Sequence, residues 1–126
     1  MAWNNHNRSK YGAKKVEYNG MVFESKRECR RYKELEILQQ IGAISELRTQ
    51  VKFVLIPAQR EPDTVGKRGG IIKGSLIERE VSYIADFVYL ENDKTVVEDA
   101  KGMRTHEYIL KRKMMLYFYG IRIKEV

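Results

Sequence analysis

The chain has 126 residues, 43% of them hydrophobic, and a formal net charge of +7 at pH 7. A chain of this length predicts one domain that buries roughly two-thirds of its unfolded surface. Its apolar runs are far shorter than the ~20 residues that a membrane span requires, and its amino terminus is too polar for a signal peptide. We therefore expect a cytoplasmic protein without a membrane partner. The single cysteine, Cys29, excludes an intramolecular disulfide and a cysteine-based zinc site.

The positive charge is concentrated near the amino-terminal end of the sequence. Residues 1–33 contain nine Lys or Arg and three Glu, whereas the rest of the chain contains 15 basic and 14 acidic residues. A solubilising surface would give a similar composition, but the clustering favours nucleic acid as a polyanionic partner. Residues 1–15 show no hydrophobic periodicity, which predicts a flexible basic arm in front of a single domain over 16–126.

The predicted elements begin with a hairpin and a helix. Residues 16–23 are mainly apolar on both sides of an Asn-Gly dipeptide, which is typical of a tight β-turn. Ser25 and Glu28 have the spacing of a capping box, and apolar residues then recur at helical intervals up to a glycine. An apolar run over 51–57 predicts a strand that ends at a proline.

The second half of the sequence predicts a sheet and a second helix. Residues 58–76 contain four glycines and several basic residues, which predicts a flexible loop or the tip of a long hairpin. Strands over 77–90 and 95–101 are joined by a short turn, and a helix over 106–119 precedes a last strand over 121–126. The order helix, three strands, helix, strand is that of an α/β or mixed α+β sheet flanked by helices.

Two of these strands carry carboxylates. Asp86 interrupts an apolar run, where a buried carboxylate is costly unless it is paired or bound to a metal. Asp99 and Lys101 are two residues apart on the next strand, so their side chains share a face. A salt pair on an exposed strand would also explain them, but the short turn brings Asp86 beside them and favours a functional site. Glu98 faces the other way, and we expect it at the surface or in an ion pair.

Two further residues have alternative interpretations. Glu28 is either a helix-capping residue paired with Ser25 or the acidic residue that the first helix contributes to a site, with Glu24 as a neighbouring substitute. His106 either contacts a phosphate or is an ordinary histidine at the start of a helix.

The order of these carboxylates resembles that of the PD-(D/E)XK nuclease superfamily. The pattern is a helix with a glutamate, a strand with an aspartate, and a strand with an acidic residue two positions before a lysine. Ala85 stands where the superfamily's name has a proline, and Glu98 adds a second acidic residue beside Asp99. Four segments resemble one phage-encoded branch that has long been known only as a domain of unknown function: 23–28, 83–87, 97–102 and 119–121.

This resemblance implies a restriction-endonuclease-like core and a Mg²⁺-dependent endodeoxyribonuclease. Asp86, Asp99 and the backbone carbonyl of Ala100 would bind Mg²⁺ or Mn²⁺, and Glu28 would complete the site. Lys101 would orient the attacking water or stabilise the transition state. The resemblance also implies a homodimer that cuts branched DNA, such as Holliday junctions, during phage recombination or replication in the cytoplasm of a bacterial host.

Basic side chains are the candidates for contacts with the DNA backbone, because the sequence contains no zinc module or reader helix. These candidates are Lys14, Lys15, Lys26, Arg27, Arg30, Lys67, Arg68, Arg104, Lys111 and Arg112, with Gln50 as a weaker one. Two other functions remain open. One is a non-catalytic nucleic-acid-binding protein that keeps the nuclease fold, and the other is a phage protein that binds a host protein through its basic arm.

Overall fold

The structure is a computed structural model, and it describes residues 14–101 and 103–126. A hairpin of β1 (Val16–Tyr18) and β2 (Met21–Phe23) precedes helix α1 (Lys26–Gln40). The other elements are β3 (Ser45–Ile56), β4 (Gln59–Arg60), β5 (Thr64–Val65), β6 (Ile71–Ile72), β7 (Leu76–Glu78), β8 (Val81–Glu91), β9 (Lys94–Asp99), α2 (His106–Met114), a π-helical turn (Met115–Tyr119) and β10 (Lys124–Glu125). The expected mixed α/β class, with a strand-rich sheet and two helices, is confirmed. Of the predicted arm, residues 1–13 lie outside the described residues.

The largest sheet contains four strands in the order β10-β9-β8-β3. Strands β8 and β9 form an antiparallel hairpin around Asn92 and Asp93, whose φ angles of 53° and 62° fit a tight two-residue turn. Strand β10 pairs with β9 in parallel, with Lys124 opposite Glu98. This last strand has two residues, fewer than the six that the alternating sequence over 121–126 predicted.

Helix α1 begins as its sequence predicted. The Ser25 hydroxyl oxygen accepts a hydrogen bond of 3.1 Å from the backbone N–H of Glu28, which satisfies one of the free amides of the first turn. The helix then buries Cys29 and Leu35 in a core with residues of β2 and β8, including Phe23 and Phe87. Full burial of a leucine such as Leu35 contributes about 1.5–3 kcal/mol, so this core fixes the helix on its neighbours.

The chain divides into two compact units, and β3 and β8 each continue from one unit into the other. The first unit contains the described residues up to Val51, together with Ala85–Arg104 and Ile123–Val126. The second contains Lys52–Ile84 and Thr105–Arg122, and within it the rings of Tyr83 and Tyr108 lie 6.4 Å apart. The single domain expected over 16–126 stays a prediction.

Several boundaries differ from the predicted ones. Strand β3 begins at Ser45 rather than at 51. The sequence did not predict its first half, which is mostly polar and in which left-handed φ angles of 54° at Glu46 and 52° at Gln50 interrupt the regular alternation. The predicted strand over 77–90 is divided between β7 and β8. The predicted second helix ends as a π-helical turn and is closed by Gly120 with a φ of 67°.

Residues 58–76 were expected to form a flexible loop or a hairpin tip. They lie within a stretch that contains two short antiparallel ladders, β4 with β7 and β5 with β6. Within the part of the chain that the structure describes, neither helix has the length and apolar character needed to cross a membrane.

Candidate active site

The β8–β9 hairpin places two carboxylates side by side. Its register puts Phe87 opposite Glu98, so Asp86 and Asp99 face each other one step further along the two strands. The backbone N–H of Ala100 donates a hydrogen bond of 2.9 Å to Asp86 Oδ2. Asp99 is 1% exposed and Asp86 is partly buried. The hairpin therefore holds two acidic groups in contact with little access to water.

Lys101 lies just beyond the end of β9. Its Nζ atom is 3.1 Å from Oδ1 of Asp99, and about a third of its side chain is exposed. Asp99 and Lys101 are thus close together as predicted, although the strand ends at Asp99 and does not reach Lys101. The lysine neutralises part of the negative charge of the cluster and still reaches solvent.

Glu28 occupies the first turn of α1 and is 5% exposed. Its carboxylate accepts a hydrogen bond from the backbone N–H of Glu24 and one of 3.0 Å from the side-chain amide of Gln50. The capping interaction between Ser25 and Glu28 that the sequence predicted is therefore present through the Ser25 hydroxyl, and the Glu28 carboxylate lies near the other acidic residues. A part for Glu28 in a functional site stays a prediction.

Two of the three acidic residues, Asp86 and Glu28, bind protons more readily than in an unfolded chain. Burial, together with the charges of Asp99 and Glu28, raises the pKa of Asp86 to about 7. Burial is also the main reason that the pKa of Glu28 is raised, with smaller contributions from Glu24 and Asp99. The cluster thus carries more negative charge than its surroundings stabilise, which is the electrostatic condition under which a cation binds favourably.

The oxygen donors at this site suit Mg²⁺ or Mn²⁺ better than softer metals. Among the described residues, no group of three or more His, Cys, Asp or Glu side chains is arranged so that it could hold a metal ion together. Magnesium sites in proteins, however, commonly use only one or two carboxylates and retain several waters. Asp86 and Asp99 are two carboxylates in contact, as such a smaller site would need, and metal binding by them and the carbonyl of Ala100 stays a prediction.

A pocket of about 450 Å³ adjoins the lysine of the site. It is lined by Arg27, Lys101, Arg104, Glu125 and Val126. Arg104 Nε is 2.7 Å from a carboxylate oxygen of Glu125, so one of the three basic residues is held by an acidic residue of the same pocket. The lining therefore has an excess of basic side chains, which favours an anionic group over a cationic one.

The remaining basic candidates are divided between the two units. In the first unit, Lys14, Lys15, Lys26 and Arg30 are exposed, and Lys15 lies 3.9 Å from Glu24. The second unit contains Lys67 and Arg68 in the turn between β5 and β6, and Lys111 and Arg112 on α2.

Lys111 and His106 both lie on α2, and their proposed contacts with DNA or phosphate stay predictions. Lys111 pairs with Glu107 at 3.0 Å, and the exposed His106 is the first residue of α2, directly after the capping residue Thr105.

Glu98 is fully buried, so the expectation of a surface position was wrong and the alternative of an ion pair was right. Two nitrogens of Arg31 donate hydrogen bonds of 2.7 Å to its two carboxylate oxygens, and the hydroxyl of Tyr89 also donates to it. The reason is that α1 covers the side of β9 opposite Asp99. No local pattern indicates this pairing, because 67 positions separate Arg31 and Glu98.

Gln50 is the residue of the site that the sequence did not identify. It appeared only as a weak candidate for DNA contact, yet its amide donates to Glu28 and, at 3.5 Å, to Oδ1 of Asp86. Its position depends on the left-handed backbone at residue 50, and no pattern in the sequence predicts that conformation at a glutamine.

Comparison with known proteins gives a family but no activity. No curated protein and no solved structure matches the chain. The family described as "Protein of unknown function (DUF1064)" matches residues 8–124. The match covers nearly the whole sequence, including every residue of the acidic cluster, and the chain therefore belongs to this family.

Proposed function

We propose that the protein is a metal-dependent DNA endonuclease of the PD-(D/E)XK type that hydrolyses phosphodiester bonds. The observation that carries the proposal is the contact between Asp86 and Asp99, with Lys101 3.1 Å from Asp99 and partly exposed just beyond the end of β9. Adjacent carboxylates can hold a metal ion that assists phosphodiester hydrolysis, and the lysine is the further group that the superfamily's pattern contains. The order α1, β3, β8, β9, α2, β10 supports a restriction-endonuclease-like core.

In this proposal each residue has a distinct task. Asp86, Asp99 and the carbonyl of Ala100 hold Mg²⁺ or Mn²⁺, and Glu28 completes the acidic environment. When bound, the ion activates water at neutral pH and offsets the negative charge that develops on the phosphoryl oxygens. The hydrogen bond from the N–H of Ala100 fixes the orientation of Asp86, so the carboxylate does not need to reorganise before the ion binds.

Lys101 acts on the reacting phosphate. Its ammonium group is anchored by Asp99 and partly open to solvent, so it can orient the attacking water or donate to a phosphoryl oxygen as charge accumulates there. Burial of the two aspartates lowers the local dielectric constant and strengthens this interaction. The pocket formed with Arg27 and Arg104 binds a second phosphate of the same strand and keeps the scissile bond in place.

The substrate and the biological setting rest on the resemblance alone. The proposal is a homodimer that cuts branched DNA during phage recombination or replication in the cytoplasm of a bacterial host. Two symmetric sites would make paired nicks on opposite strands of a junction.

The test is cleavage of a four-way junction, a flap, linear duplex and single-stranded DNA, each with Mg²⁺, Mn²⁺ or a chelator. We expect cutting only with metal, and preferential cutting of the junction. Asp86→Asn and Lys101→Met should each reduce the rate by a factor on the order of 10² to 10³, while DNA binding persists. Asp93→Asn and Lys94→Met are matched controls, because they make the same changes at two exposed residues, one in the β8–β9 turn and one at the start of β9, and should cut normally.

Two results would reject the assignment. Wild-type rates in both Asp86→Asn and Lys101→Met would show that the catalytic residues lie elsewhere. A wild-type protein that binds all four DNAs but cuts none with either metal would instead be a non-catalytic nucleic-acid-binding protein with a nuclease-like fold.

A further inference from the structure

Gln50 connects two acidic residues that come from different elements. Its Nε2 atom lies 3.0 Å from Oε1 of Glu28 on α1 and 3.5 Å from Oδ1 of Asp86 on β8. A side-chain amide carries two N–H donors on this nitrogen, so it can donate a hydrogen bond to each carboxylate at the same time. The second distance is long for a hydrogen bond, which makes the contact with Glu28 the stronger of the two.

The backbone at Gln50 is in an unfavourable conformation. Its φ of 52° lies in the left-handed region, which residues with a Cβ atom rarely adopt and which recurs at functional sites. Glu46 has nearly the same φ, 54°, four residues earlier in β3, and its side chain is exposed. The two residues thus share a backbone conformation, and the contact with Glu28 and Asp86 distinguishes Gln50.

We propose that Gln50 is a positioning residue that holds the carboxylates of Glu28 and Asp86 in the arrangement that accepts a divalent cation. The inference rests on the proposed function, because it concerns the same metal-dependent site. A neutral amide suits this task, since it donates hydrogen bonds to both acidic residues without the positive charge by which a lysine or arginine would repel the cation. Loss of such a supporting hydrogen bond typically weakens metal affinity by about 10- to 100-fold.

The test is Mn²⁺ binding to the full chain, measured by isothermal titration calorimetry. Gln50→Met keeps the length of the side chain and removes both donors, so its Kd for Mn²⁺ should rise about tenfold or more. Glu46→Met is the matched control in the same strand, with nearly the same φ and an exposed side chain, and its Kd should equal that of the wild type. Equal Kd values for Gln50→Met and the wild type would overturn the inference.

A second variant distinguishes loss of the amide from misfolding of the protein. Gln50→Gly also removes the amide, but it relieves the left-handed strain, so its melting temperature should be at least that of Gln50→Met. Both variants should lose Mn²⁺ affinity to a similar extent. A Gln50→Gly protein that folds and binds Mn²⁺ like the wild type would contradict the role of the side chain.

Cleavage assays separate this inference from the proposed function. A wild-type protein that binds Mn²⁺ but cuts no DNA would reject the nuclease proposal, and the Kd comparison would still decide the role of Gln50. In another outcome, the wild type and Gln50→Met both cut DNA and reach half-maximal activity at the same Mn²⁺ concentration. That result would reject the inference about Gln50 and retain the nuclease proposal. A wild-type protein that binds no Mn²⁺ would reject the inference as well.

Discussion

The guanidinium of Arg31 donates two hydrogen bonds of 2.7 Å, from Nε and Nη2, to the fully buried carboxylate of Glu98. This two-point contact joins α1 to β9 in a defined orientation. Glu28 precedes Arg31 by three residues on the same helix, and Asp99 follows Glu98 on the same strand. The pair therefore fixes the two elements that carry acidic residues of the candidate site.

Replacement of Arg31 should be among the most destabilising substitutions in the first unit. Arg31→Met leaves Glu98 charged and buried without its main partner, so we expect a loss of about 3–5 kcal/mol in the free energy of unfolding, measured by urea denaturation. Arg30→Met, at an exposed position of the same helix, should change it by less than about 0.5 kcal/mol. Adding Glu98→Gln to Arg31→Met should recover part of the lost stability. If the losses of the two single variants instead add up in the double variant, direct pairing of Arg31 with Glu98 would be contradicted.

The acidic cluster should make stability depend on pH. Asp86 has a pKa of about 7 in the folded protein and an ordinary value near 4 in the unfolded chain. The native state therefore binds more protons than the unfolded chain between about pH 4 and 7. The contribution of protonated Asp86 to the free energy of unfolding is largest below about pH 4. It falls by up to about 4 kcal/mol as the pH rises to 7 without metal. Asp86→Asn should lack this fall.

The measurement is urea denaturation at a series of pH values between 4 and 8 in the presence of a chelator. Asp93→Asn, in the exposed turn, provides the control and should follow the wild type. If the free energy of unfolding changes with pH in the same way for the wild type and Asp86→Asn, then Asp86 has an ordinary pKa in the folded protein. At pH 8, adding Mg²⁺ should restore stability to the wild type and have little effect on Asp86→Asn, because binding to the folded state alone stabilises it.

The exposed basic residues near the start of α1 should contribute a salt-dependent part of DNA affinity. Each phosphate contact adds about 0.9 to the slope of log Kobs against log salt concentration for duplex DNA. Replacing Lys26, Arg27 and Arg30 together with alanine should therefore reduce the magnitude of that slope by up to about 2.7, measured by fluorescence anisotropy. Lys94→Ala is the control, and an unchanged slope in the triple variant would place the DNA on another surface.

Local patterns predicted much of the fold. The Asn-Gly turn, the Ser25 cap and the closing Gly120 each act within a few residues, and the structure contains all three. The proximity of Asp99 and Lys101 was likewise predictable from their spacing of two residues, although the strand that was predicted to include Lys101 ends at Asp99.

Contacts between distant segments were not predictable in the same way. Whether Glu98 faces solvent or a partner depends on which side of the sheet α1 covers, and nothing local to β9 contains that information. Gln50 reaches Glu28 only because β3 turns into a left-handed conformation, at a cost that tertiary contacts must offset. The sequence therefore indicated the acidic residues of the site but not the residue that links two of them.

The two-residue turn at Asn92 and Asp93 gives the β8–β9 hairpin little tolerance for insertions. Adding or deleting one residue there would shift β9 by one position and reverse the direction of every side chain on it. An insertion would turn Glu98 toward Asp86 and leave a valine in its former place, whereas a deletion would turn Asp99 toward α1 and leave an alanine in its former place. Either change would remove the carboxylate from one of the two positions. We expect length variation among related chains to occur in other loops and to spare this turn.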